Sequence, residues 1–179
     1  ARTGEERARA EEIAEWEREW ATAKERWIFD RLVFGDSEEL IVRKLNLSKL
    51  VTPRAVAGGR AALNARFRWM LGESIFNIDF TMMNGLAAIT FEPLPEDVAD
   101  LGTLIRGDWE KLRAAAIEQL GPPGKSAEFP GAPQLQRGGM TVTDVWEKPG
   151  RHATLGISED GGKCSATLRI SDPARLAGR

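Results

Sequence analysis

Histidine, cysteine and tyrosine are almost missing from this chain: one His, one Cys and no Tyr in 179 residues. A single cysteine forbids an internal disulfide and leaves the redox compartment open. One histidine rules out a multi-histidine metal site, and a Ser-His-Asp arrangement would have to use His152. The sequence also has no apolar run of the roughly 18 residues that a membrane-spanning helix needs. Surplus positive charge is missing too. The formal net charge is −2, which argues against nucleic-acid binding by phosphate neutralisation. No metal and no cofactor is expected from these residues. What remains is the composition of an ordinary globular domain, 42% hydrophobic and 29% charged.

The most informative stretch is Ser74 to Glu92, SIFNIDFTMMNGLAAITFE. Folding it about Asn84-Gly85, residues that tolerate positive φ, predicts a hairpin with Met83 opposite Leu86, Phe80 opposite Ile89 and Ile78 opposite Phe91. Phe76, Ile78, Phe80, Met82, Ala87, Ile89 and Phe91 then share an apolar face, while Asn77, Asp79, Thr81, Thr90 and Glu92 share the polar one.

Around the hairpin, period and punctuation place the other elements. Residues 4–33 read as one amphipathic helix with a Thr3/Glu6 capping box and a stripe of Ile13, Trp16, Trp20, Ala23 and Trp27. Asp36 with Glu39 reads as the cap of a short helix over 37–46. Residues 47–64 look irregular, and Phe67, Trp69 and Leu71 mark a strand over 65–71. After Pro93 and Pro95, a helix is expected near Glu96, weakened by Gly102 and Gly107 and firm from 107 to 120. Gly121-Pro122-Pro123 stops it, and 121–139 reads as a long loop. Strands near 140–147, 151–158 and 163–171 close the chain. A turn at Glu159–Gly162 would pair Ile157 with Cys164, Leu155 with Ala166 and Ala153 with Leu168.

The expected fold is therefore α+β: an antiparallel sheet of five or six strands with helices packed on one face, plus a long N-terminal amphipathic helix. The organisation reads as residues 1–33 for that helix, appended or docked, 34–173 for a single α+β domain, and 174–179 for a flexible tail.

No candidate chemistry outweighs its structural explanation. Gly124-Lys125-Ser126 echoes the end of a phosphate-binding loop, but Gln119 stands where that motif needs its first Gly. Cys164 falls on an apolar strand face, as an inert buried thiol would. Asp79 and Glu92 are paired carboxylates, yet they sit on a sheet face with no sign of a pocket. Arg54, Arg60, Arg66 and Arg68 cluster near Trp69, but Arg66 and Arg68 project from the other face of its strand. No catalytic residue is assigned.

The run Gly35-Asp36-Ser37-Glu38-Glu39-Leu40-Ile41-Val42-Arg43-Lys44-Leu45, followed by antiparallel strands, resembles the small lipoproteins of the bacterial outer-membrane protein assembly machinery, the BamE (SmpA/OmlA) type. The strand-strand-helix-Gly-Pro-strand-strand order over 74–171 is also similar to bacterial envelope domains of like build. The chain departs from the lipoprotein pattern in having Asn46-Leu47-Ser48 where Gly-x-Pro usually ends the short helix. It also adds the Trp-bearing N-terminal helix and lacks a lipidation cysteine. The resemblance implies an envelope protein with a non-catalytic binding role, and no individual residue is carried over from it.

The function expected is thus a non-enzymatic bacterial envelope or periplasmic domain whose partner is another protein, with no nucleic acid. A membrane would be reached only through an anchor upstream of Ala1. The start Ala1-Arg2-Thr3 fits such trimming, and equally fits a tag scar or removal of an initiator Met. The candidate partner-binding face is Asn77, Asp79, Thr81 and Thr90, together with the 121–139 loop. The alternatives are a soluble partner-neutralising module, immunity- or chaperone-like, and then a small-ligand-binding domain or enzyme with a pocket between the sheet and that loop. Oligomeric state is left open.

Overall fold

The computed structural model describes residues 3–23, 28–53 and 63–178. It is an α+β protein built on one large antiparallel sheet. Strands β1 (Val51–Pro53), β2 (Phe67–Leu71), β3 (Ser74–Met82) and β4 (Leu86–Glu92) form one meander. The other is β6 (Lys125–Ser126), β7 (Met140–Lys148), β8 (Arg151–Asp160) and β9 (Lys163–Ser171). The two meanders meet at β4 and β9, giving the order β1-β2-β3-β4-β9-β8-β7-β6, and β5 (Glu96–Asp97) adds to the far end of β9. Among the described residues the sheet has nine strands rather than five or six. The additional ones, β1, β5 and β6, are two or three residues long, too short to show an alternating pattern.

The polar and apolar faces of β3 and β4 fall as their alternation requires. Phe76, Ile78, Phe80, Ile89 and Phe91 are buried, and the pairs from Asn77↔Glu92 to Thr81↔Ala88 are those expected. The turn is one residue longer than the two-residue form. Met82 pairs with Leu86, the register shifts beside Thr81, and Asn84 and Gly85 both adopt positive φ. The turn is packed against a neighbour. Gly35 N–H donates to Leu86 O, Leu86 N–H donates to Asp36 O, and Gly35 O lies 2.5 Å from where a Cβ on Gly85 would stand.

The β8–β9 pairing differs from the expected one by two residues. Ile157 faces Ala166, Leu155 faces Leu168 and Ala153 faces Ile170. Gly161 and Gly162, both at positive φ, make a tight two-residue turn closed by Asp160↔Lys163. A slip of two keeps every side chain on its own face, so hydrophobic alternation does not distinguish the two registers.

Helix α1 spans Gly4–Ala23 and begins with the expected capping box, Glu6 N–H donating to Thr3 Oγ1 and Thr3 N–H to Glu6 Oε2. It does not continue to residue 33. Residues 28–33 instead form a turn in which Leu32 N–H donates to Phe29 O, and they bury Ile28, Phe29 and Leu32 in the core. Of the expected Trp stripe, Trp16 is half-buried. The side chain of Trp20 and all of Trp27 lie outside the described residues, as do Arg54 and Arg60. Helix α2 (Glu38–Asn46) is capped by Ser37, which accepts from Leu40 N–H. Asp36 is turned inward instead, to Lys44 Nζ at 2.8 Å.

Helix α3 (Leu63–Arg66) leads into β2, and its Asn64 side-chain oxygen accepts from Phe80 N–H at 2.7 Å where β2 no longer reaches β3. Helix α4 (Arg106–Leu120) lies against β8 and β9, burying Trp109, Leu112, Ala116 and Leu120. The expected break before it is a five-residue π turn, Leu101–Ile105, in which Arg106 N–H reaches back to Leu101 O. The short α5 (Pro173–Leu176) follows β9, and its Arg175 donates to Asn84 O. The other end of the core is an aromatic cluster: Phe29 lies 4.9 Å from Trp69 and 4.7 Å from Phe91, and Trp69 lies 5.0 Å from Phe91, ring centre to ring centre.

Candidate functional site: the polar sheet face and its flanks

The four residues singled out on the hairpin stand together, and the pairing extends their face across six strands. One row runs Thr81, Ala88, Ser171, His152, Glu147; the next runs Asp79, Thr90, Arg169, Thr154, Val145. A third row joins Arg68 and Asn77 to Glu92, whose Oε2 accepts from Thr167 Oγ1 at 3.3 Å. Helix α4 and the 28–34 segment pack on the opposite, apolar face, which holds Phe91, Leu168, Leu155 and Trp146. Asn77, Asp79, Thr81, Thr90 and Glu92 are each half-buried, as side chains in the middle of a broad sheet are.

The chemistry of this face is hydrogen bonding with mixed charge. Burial raises the Asp79 carboxyl above its usual range. The Glu92 carboxyl is raised chiefly by burial and next by the nearby Asp79 charge, while hydrogen bonds from Thr167 and Ser165 pull the other way. Arg68 and Arg169 supply positive charge, and His152 is exposed, as its place opposite the apolar face predicts. Paired carboxylates on an open face can hold hydrogen bonds to a partner. General acid-base chemistry would further need an enclosed position for a substrate.

Cys164 is buried, and burial raises its thiol pKa, with the charges of Glu159 and Asp97 adding to the effect. It faces Glu159 rather than Ile157 and stays in the unreactive thiol form. Gly124-Lys125-Ser126 forms no phosphate cradle. Gly124 N–H donates to Val145 O, and Lys125-Ser126 is the edge strand β6.

Sequence reasoning missed one polar cluster, on the apolar face beneath α4. Asp144 is fully buried, with Arg113 Nε at 3.0 Å, Ser126 Oγ at 2.6 Å and Thr143 Oγ1 at 2.8 Å. Trp109 Nε1 donates to the same Thr143 oxygen at 2.8 Å, and Phe129 packs edge-on against Trp109 at 5.1 Å. A β-bulge between Val142 and Asp144 aims Thr143 and Asp144 this way. Gly156 accommodates it, since a Cβ there would run into the Thr141 carbonyl. One signal was available: Asp144 shares strand parity with Trp146, so a carboxylate was due on a buried face. Here it ties the 121–139 segment to α4 and the sheet.

Among the described residues no group of three or more His, Cys, Asp or Glu side chains is arranged to hold a metal, and no helix is long and apolar enough to cross a membrane. No protein family matches the chain, and neither the curated proteins nor the solved structures compared with it yield a match.

Proposed function

We propose that this chain is a non-enzymatic protein-binding domain that meets its partner on the polar sheet face around Asn77, Asp79, Thr81 and Thr90. The observation that carries the reading is the extent of that face. Six strands spaced about 4.8 Å apart make it roughly 25 Å wide, and its longest strands, of nine or ten residues, make it up to about 30 Å long, of the order of the roughly 800 Å² that one side of an ordinary interface buries. Part of the space beside the 121–139 segment, where a pocket was the alternative, is crossed by Trp109, Arg113, Ser126 and Phe129, and an open groove of about 310 Å³ remains between Pro122, Gly124 and Lys125 and the end of β7. The bacterial envelope setting is part of the proposal through the resemblance of Gly35–Leu45.

The experiment is a cross-linked recovery of the full chain from its native cells, membrane and soluble fractions apart, with Asp79→Arg run beside the parent. Loss of one stoichiometric partner on charge reversal, with circular dichroism unchanged, supports the reading, and the fraction in which that partner is found tests the envelope setting. Undiminished recovery by Asp79→Arg overturns the assignment of this face.

A further inference from the structure

At the β2–β3 end of the sheet the surface changes character. Ile75 (43% exposed), Leu94 (72%) and Leu104 (56%) line one cleft of about 370 Å³, and Met70 (49%) stands beside Ile75 across the ladder. Apolar side chains gathered in this way mark contact surfaces more often than scattered ones do. Two of them are held outward by the backbone. Leu94 lies between Pro93 and Pro95, and a residue before proline is confined to extended conformations. The π turn buries Leu101 and Ile105 and leaves Leu104 facing solvent. Such an insertion weakens a helix and recurs at functional sites. The backbone of Leu94 is therefore already restricted before binding, which lowers the ordering cost there.

The rim is acidic. Glu73, Glu96 and Asp108 line the cleft against a single Arg68. Lys111 donates to Ser74, which in turn donates to Asp108. Glu73 and Glu96 make no ion pair among the described residues. The cleft also opens onto the polar face, because Asn77 belongs to both.

We propose that this cleft anchors a segment of the partner protein in which apolar side chains are flanked by Lys or Arg. The inference rests on the protein-binding reading and specifies the partner's chemistry. The apolar side chains fill the space between Ile75, Leu94 and Leu104, and the cation meets Glu73 and Glu96. Neighbouring residues of the segment then continue onto Asn77 and the sheet face.

The test is a titration of the isotope-labelled full chain, followed by amide resonances, with three synthetic peptides of equal length: alternating Leu/Lys, Leu/Glu and Ser/Lys. The Leu/Lys peptide is expected to move the resonances of Ile75, Leu94 and Leu104 and to bind at least about tenfold more tightly than the other two. Leu94→Ser with Leu104→Ser should weaken it about tenfold. Both positions are exposed, so the fold is retained. Glu73→Gln with Glu96→Gln should remove most of its salt dependence. Equal binding of the Ser/Lys peptide, shifts centred elsewhere, or indifference to the serine variants overturns the proposal. Concentration-dependent broadening at the same residues without peptide also overturns it, since the occupant is then a second copy. Cross-linking separates this inference from the face itself. Cleft variants that keep a partner lost by Asp79→Arg defeat only the cleft, and the reverse pattern defeats only the face.

Discussion

The Ser126 hydroxyl donates to Asp144 Oδ1 at 2.6 Å, joining an exposed edge-strand residue to a carboxylate with no exposure at all. The same oxygen accepts from Arg113, whose side chain is one-third exposed. The pair is therefore asymmetric. Arg113→Met strands a buried charge on neutral donors and should cost about 3–5 kcal/mol, whereas Asp144→Leu leaves a guanidinium that can turn to water and should cost less. The double variant should be more stable than Arg113→Met alone. A urea double-mutant cycle measures this, and strictly additive losses would show that the two residues do not act as a pair.

Gly85 is fixed by its neighbours as well as by its own backbone. At φ +108 with the Gly35 carbonyl 2.5 Å from a would-be Cβ, Gly85→Ala should lose at least about 2 kcal/mol. Gly150→Ala, at φ +69 in open space, should lose about 1 kcal/mol from strain alone. Thermal melts of the two variants compare them, and equal losses would mean that the Gly35–Gly85 approach exerts no constraint.

Asp79 and Glu92 both bind protons more tightly in the folded chain than carboxyls ordinarily do. Their contribution to stability is therefore complete below the usual carboxylate range near pH 4 and is lost as pH rises through their raised values. Both groups are substantially solvated, so the effect is modest. Asp79→Asn with Glu92→Gln should flatten that descent in denaturant midpoints measured across pH. A curve that keeps the parent's slope would count against burial as the cause.

Removing residues 1–23 should leave a folded domain. Glu12–Arg43 and Glu17–Arg31 tie α1 to side chains that are partly exposed, and such pairs contribute about 0–1 kcal/mol each. Removing residues 1–33 also takes away Ile28, Phe29 and Leu32, buried side chains that contribute about 2–5 kcal/mol apiece. That truncation should abolish cooperative unfolding. Comparable melting of the two truncations would mean that the 28–33 turn is dispensable.

Much of this architecture is legible in the residues themselves. The two faces of β3 and β4, the Thr3/Glu6 cap, the weakening near Gly102 and the stop at Gly121 all follow from local periodicity and backbone chemistry. So does the candidate face, because alternation alone puts Asn77, Asp79, Thr81 and Thr90 on one side. That α1 does not run on to residue 33 was not legible, since the amphipathic pattern continues into residues 28–33, which serve as sheet core.

What the sequence determined by itself is parity: which side of each strand is apolar, and where the chain must turn. Parity survives a two-residue slip, so the register of β8 on β9 was decided by the Gly161-Gly162 turn within the assembled sheet. The joining of two meanders at β4 and β9 was likewise tertiary, because any half-buried antiparallel strand offers the same edge. Asp144 shows the limit most directly. Local pattern puts a carboxylate on a buried face, and it is tolerated there because Arg113, 31 residues away in sequence, arrives with α4 to balance its charge while Ser126 and Thr143 donate to it.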